Sequence, residues 1–199
     1  MKFNKSNRNF FKYLLTMTLF TGSMSLLFFQ SCNNDDPVPE NESELITTLT
    51  MTFTNVNDAG NVVVAQFRDV DGAGGNDPEI TNPILKDGET YDAEIQLLNE
   101  SISPADNITS EVEAEGEAHQ FFFSSTDTGL LSFGYLDEDS NGNPIGLSSR
   151  WETLKTGTTS FRITLRHQPD KDGMGVSEGD ISNAGGETDL EVTFELTVE

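Results

Sequence analysis

Apolar and polar residues alternate with a period of two along much of this chain. Leu49, Met51 and Phe53 alternate with Thr48, Thr50, Thr52 and Thr54, and Tyr91, Ala93, Ile95 and Leu97 with Asp92, Glu94 and Gln96. Phe161, Ile163 and Leu165 alternate with Arg162, Thr164 and Arg166. Leu190, Val192, Phe194, Leu196 and Val198 alternate with Glu191, Thr193, Glu195, Thr197 and Glu199. Successive side chains of an extended strand point to opposite faces, so each run reads as a strand with one buried face. Weaker signals of the same kind predict strands over 61–68, 79–85, 119–125, 130–136 and 145–152. Asp87-Gly88 and Asn141-Gly142 read as hairpin-type turns.

One segment departs from this rhythm. Ser103-Pro104-Ala105-Asp106 offers a cap residue, a proline suited to the first helical position and an acid in the first turn. The following NITSEVEAEGEAH is acidic and spaces Ile108 and Val112 four apart. A short acidic helix over about 104–118 is therefore predicted between two strands. Its narrow apolar stripe suits the end or edge of a sheet, and Gly116 weakens its last turn. Eight to nine short strands separated by Gly, Asn and Asp turns predict an all-β fold: an antiparallel sandwich of Ig-like or jelly-roll type, with that helix inserted.

The first 31 residues follow a different rule. Lys2, Lys5, Arg8 and Lys12 precede an apolar run from Tyr13 to Phe29, then Gln30-Ser31-Cys32 and the acidic Asn33-Asn34-Asp35-Asp36. Basic, apolar and small-residue regions in that order describe an export signal. The run is short for a membrane span and is interrupted by Gly22. Cys32, the chain's single cysteine, stands at the junction, which resembles a bacterial lipoprotein signal. That resemblance implies cleavage before Cys32 and diacylation of its sulfur, although Phe29 occupies the position where such signals usually carry Leu. Asp35-Asp36 loosely resembles the acidic surface-export tag of Bacteroidota-type lipoproteins. The expected organisation is a signal over 1–31, an acidic tether over 32–43 and a β-sandwich domain over 44–199. The expected location is the outer membrane, lipid-anchored and displayed at the surface, with the periplasmic face as the alternative.

Removing the signal sharpens the charge. The full chain carries 11 Lys+Arg and 34 Asp+Glu, a net −23. Four of the basic residues and none of the acids lie in 1–31, leaving 7 against 34, or −27. Phosphate binding needs a basic face, so nucleic acid is excluded as a natural partner. Cations become the ligands of interest.

Three groups of residues suit cations. His119 shares the phase of Phe121 and Phe123 at the start of a strand, and His167 that of Leu165 at the end of another. Both should point to the apolar side. A helix running through residue 119 places Glu115 one turn away. Two imidazoles and a carboxylate suit zinc or another transition metal, and a hydrogen-bonded structural cluster is the plainer reading. Asp137, Asp139 and Asn141, followed by Gly142, match the first half of a calcium loop, but Ser148 stands where a closing acid belongs. Asp69, Asp71 and Asp77 form a second acidic loop open to the same calcium reading. Phe122, out of phase with Phe121 and Phe123, marks either an exposed patch or a face covered by the acidic helix. No G-x-S-x-G, H-E-x-x-H, Walker loop or C-x-x-C occurs, so no catalytic residue is assigned and the chain reads as a non-enzyme.

The stretches ITTLTMTFT, RDVDGAGGNDP, LLNESISPADNITSEVEAEGEAHQFFF, DEDSNGNPIGL, ITLRHQPDK and NAGGETDLEVTFELTV resemble a family of small Bacteroidota lipoproteins. Its members often carry the label type 1 periplasmic binding fold superfamily protein. The resemblance implies a cell-envelope accessory role beside TonB-dependent outer-membrane receptors, and no catalytic residue. The α/β architecture in that label conflicts with a chain of alternating strands. Three function classes follow: an anchored ligand- or metal-binding accessory protein, a structural module rigidified by calcium, and an envelope hydrolase.

Overall fold

The computed structural model describes residues 45–72 and 74–199. The expected export signal over 1–31 and tether over 32–43, with Cys32, lie outside them. Among the described residues ten strands form: β1 (Thr48–Asn55), β2 (Val62–Arg68), β3 (Glu79–Thr81), β4 (Ile84–Leu85), β5 (Thr90–Leu98), β6 (His119–Ser125), β7 (Leu131–Tyr135), β8 (Ser148–Thr153), β9 (Gly157–His167) and β10 (Glu187–Val198). They build a six-stranded sheet in the order β3-β2-β1-β5-β8-β7 and a four-stranded sheet in the order β4-β10-β9-β6. Every pairing is antiparallel except β10 with β4.

The alternating runs bury the faces their periodicity predicts. Leu49, Met51 and Phe53 of β1 lie beside Leu97, Ile95 and Ala93 of β5. Phe161, Ile163 and Leu165 of β9 lie between Phe194, Val192 and Leu190 of β10 and Phe123 and Phe121 of β6, with Ser125 opposite Phe161. These two inner faces meet in one apolar core. Its centre is aromatic: Trp151 stacks on Phe133 at 4.9 Å and meets Phe123 and Phe161 edge-on at 5.2 and 5.3 Å. The all-β sandwich predicted from the alternation is the fold observed.

Three local expectations need correction. The segment 79–85 is two strands, because Asn82-Pro83 intervenes and proline cannot donate to a ladder; β3 joins one sheet and β4 the other. For the same reason Asp87-Gly88 is a turn between sheets and closes no hairpin. The helix is shorter than 104–118. Ser103-Pro104 is a cis peptide outside it, the helix α1 runs Ile108–Ala114 from Asn107, and a 3₁₀ turn over Gly116–Ala118 leads into β6. Ile108 and Val112 are its buried stripe, as their spacing required. The Thr109 hydroxyl donates to the Leu97 carbonyl and accepts from the Leu97 amide, which fixes α1 on β5.

Between β9 and β10 the chain makes an excursion over residues 168–186, referred to below as the strap. It crosses the outer face of β6, where its Val176 and Ala184 cover Phe122 in a small second core. Phe122 is thus buried under the strap and not under the acidic helix.

Candidate metal centre

Antiparallel pairing of β6 with β9 sets His119 directly opposite His167. Both continue the inward phase of their strands, so their rings meet at the end of the core, with centroids 4.9 Å apart. His167 Nδ1 lies 3.0 Å from His119 Nε2. The third member is Asp189, whose Oδ2 is 3.7 Å from His119 Nε2 and 3.8 Å from His167 Nδ1. The His119 and Asp189 side chains are 1% and 3% exposed, and that of His167 is 20% exposed. The site therefore sits at the edge of the interior, with one imidazole reaching water.

Asp189 reaches this position through a break in strand geometry. The β9–β10 register runs Thr188 opposite Arg166 and then Leu190 opposite Leu165, leaving Asp189 as the extra residue of a β-bulge. A bulge re-aims a side chain that strict alternation would send outward. Periodicity alone put Asp189 on the solvent face, which is why it was absent from the expected ligand set. A usable signal was present: β9 and β10 are consecutive antiparallel strands, so the start of one must lie beside the end of the other, near His167.

Glu115 takes part differently from its predicted role. The helix ends before it, the residue lines a neighbouring acidic cleft, and its carboxylate is not one of the three converging donors, though its charge still acts on His119. Its backbone carbonyl lies 3.2 Å from His119 Nδ1. A carbonyl can only accept, so His119 Nδ1 carries the proton and Nε2 presents a lone pair to the site. His167 Nδ1–H then donates to that lone pair. Burial, the largest influence, holds the His119 imidazole below the ordinary histidine range. The Glu115 carbonyl and the charges of Asp189 and Glu115 oppose that shift, and His167 reinforces it. A neutral, oriented imidazole whose second nitrogen is held by a backbone carbonyl is the form a metal ligand needs.

The separations fit a metal. Atoms 3.0, 3.7 and 3.8 Å apart lie on a circle of radius about 2 Å, equal to Zn–N and Zn–O bond lengths. One ion at that centre lies within bonding distance of all three atoms, and His167 frees its Nδ1 lone pair for it by carrying its proton on Nε2 instead. Two imidazoles and one carboxylate favour zinc or another first-row divalent metal over calcium or magnesium, which prefer all-oxygen cages.

The two acidic loops are organised otherwise. Asp137 accepts from the amides of Gly146 and Ser148 at 2.8 and 3.1 Å. Asp139 accepts from the amides of Asn141 and Asn143, and its second oxygen from the Lys171 ammonium at 2.9 Å. Lys171 also donates to the carbonyls of Gly116 and Pro144 at 2.6 and 2.9 Å. A protein ammonium thus occupies the cation's place beside Asp139, and the carboxylates of both Asp137 and Asp139 are committed to N–H donors. In the other loop Asp69 accepts from the Gly72 amide and Asp71 from the backbone and side chain of Asn76, while Asp77 is exposed. Asp69 and Asp71 cap their own turns, and among the described residues the three acids do not form a group with ligand atoms within reach of one ion.

A cleft of about 840 Å³ separates α1 from the β7–β8 connection, lined by Glu94, Glu113, Glu115, Glu117 and Glu138 above Ile95 and Leu147. Its acids concentrate cations next to the segment that leads into His119. Among the described residues, no helix is long and apolar enough to cross a membrane. Comparison of the chain with protein-family models, with curated proteins and with solved structures finds no match.

Proposed function

We propose that this chain is a lipid-anchored cell-envelope protein that binds a transition metal, zinc foremost, through His119 Nε2, His167 Nδ1 and Asp189 Oδ2. One observation carries the reading: three donor atoms from three strands converge on a common point about 2 Å from each. The acidic surface supports it by raising the local concentration of divalent ions. The export signal and Cys32 support the anchor, and the lipoprotein resemblance supports a role as an accessory to a TonB-dependent outer-membrane receptor. In that role the protein captures the metal and hands it on, without catalysing a reaction.

The test is zinc affinity of the detergent-purified full chain, measured by competition with a chromophoric chelator. One zinc per chain is expected. Asp189→Asn and His119→Ala each weaken it at least tenfold, and Glu115→Gln leaves it within about twofold. Unchanged affinity in both ligand variants would remove the reading.

A further inference from the structure

The two ends of the strap are held by the proposed ligands themselves. His167 is the residue before the strap, and Asp189 follows its end by three positions. Both borders have left-handed backbone. Gln168 adopts φ 49°, and Gly186, at φ 68°, sits so close that a Cβ there would lie 2.3 Å from the His167 carbonyl oxygen. The neck is therefore narrow, with Glu187 paired opposite His167 at its base, and an opening that frays this neck draws His167 away from the start of β10.

What the strap covers is a second core of three residues, Phe122, Val176 and Ala184. Beyond that, the Gln120 side chain donates to the Val176 carbonyl at 2.8 Å, and Lys171 pins the strap's first turn through its three bonds. Farther along, Gly179 rests against the rings of Phe133 and Tyr135 on β7. The strap thus runs from the edge of one sheet to the edge of the other, across the open side of the sandwich. With so small an apolar contact, the strap depends on Lys171 and Gln120 to stay closed, and such a unit opens more readily than the core strands.

Resting on the metal site proposed above, we infer that the metal is a clasp on this strap. An ion bound to His167 and Asp189 bridges the neck, and an open strap separates these ligands and loses the ion. Metal binding and strap closure are then coupled, and the coupling is reciprocal. Loading shuts the strap over Phe122 and Gln120. Conversely, a protein partner that engages the opened strap lowers metal affinity by the same factor, which is a release mechanism for a delivery protein.

Hydrogen exchange of the full chain, with and without zinc, tests this. If only the closed strap binds zinc, free zinc at a hundred times its dissociation constant slows strap opening about a hundredfold. The amides of Gly173, Val176, Asp180 and Ala184, bonded within the strap, report it. Slowing of these amides by tenfold or more, with β1 and β5 amides unchanged, is the expected result. Lys171→Met should speed their exchange without zinc and still show the zinc effect. Zinc binding with unchanged strap exchange would overturn the clasp and leave the metal site standing. Equal slowing of strap and core amides would also overturn it, since the strap would then open only with the whole domain. Absence of zinc binding would remove both.

Discussion

Lys171→Met tests how far the acidic fold depends on one internal cation. The Lys171 and Asp139 side chains are 5% and 1% exposed, and the ammonium satisfies two carbonyls as well as the carboxylate. Methionine keeps most of the volume and removes the charge. It leaves a buried carboxylate and two carbonyls without their donor, and breaking a buried pair from one side costs about 3–5 kcal/mol. For a domain of this size each kcal/mol is worth roughly 2–4 °C, so the melting temperature should fall by about 6–20 °C. Urea unfolding of the metal-free chain, followed by the emission of the single tryptophan, Trp151, measures the free-energy loss, and a thermal scan with the same probe the melting temperature. Asp139→Asn alone should also destabilise, and the double variant should lose clearly less than the two single losses added together. A loss below about 1 kcal/mol, or strict additivity, would refute the reasoning.

The same pair predicts a pH dependence. Burial opposes ionisation of Asp139, but the Lys171 ammonium and the Asn143 and Asn141 amides outweigh it, so the carboxyl lies below its ordinary range. A depressed carboxyl stabilises the fold above its unfolded value near ~3.9 and loses that contribution as pH falls through the lower folded value. Stability of the native sequence should therefore drop below about pH 4 with a component absent from Lys171→Met.

Other outcomes follow from particular contacts. Gly186→Ala drives a Cβ into the His167 carbonyl at a positive φ; it should cost more than about 1 kcal/mol and weaken zinc binding, both readable in one titration series. Phe161→Ala empties the middle of the aromatic cluster around Trp151 and should cost about 3–5 kcal/mol by urea unfolding. Because Asp137 and Asp139 are committed to amides and to Lys171, millimolar calcium should leave the melting temperature within about 1 °C. A rise of several degrees, lost on Asp137→Ala, would restore the calcium loop.

How much of this was readable beforehand depends on which physical rule governs each residue. The strands of β1, β5, β9 and β10 were legible because one buried face imposes a strict period of two. The inward aim of His119 and His167 followed from that phase. Their contact did not, since spacing along a chain does not say that β6 pairs with β9. Asp189 was hidden because a bulge overrides alternation at one residue. Ser103-Pro104 imitated a helix start, yet Asn107, one residue before the buried Ile108, begins the helix. The acids at 137–142 looked like half a cation loop because the residue that completes their environment, Lys171, lies about thirty positions away. The strap has neither period two nor helical spacing, so its role emerges only from what it covers.

The most direct test of the central claim is the position of the metal in a crystal of the zinc-loaded chain, located by anomalous scattering. The account predicts a single strong peak about 2 Å from His119 Nε2, His167 Nδ1 and Asp189 Oδ2. A peak in the cleft among Glu113, Glu115 and Glu117 with none at the histidine pair would contradict it, as would two histidines still bonded to each other in the presence of zinc.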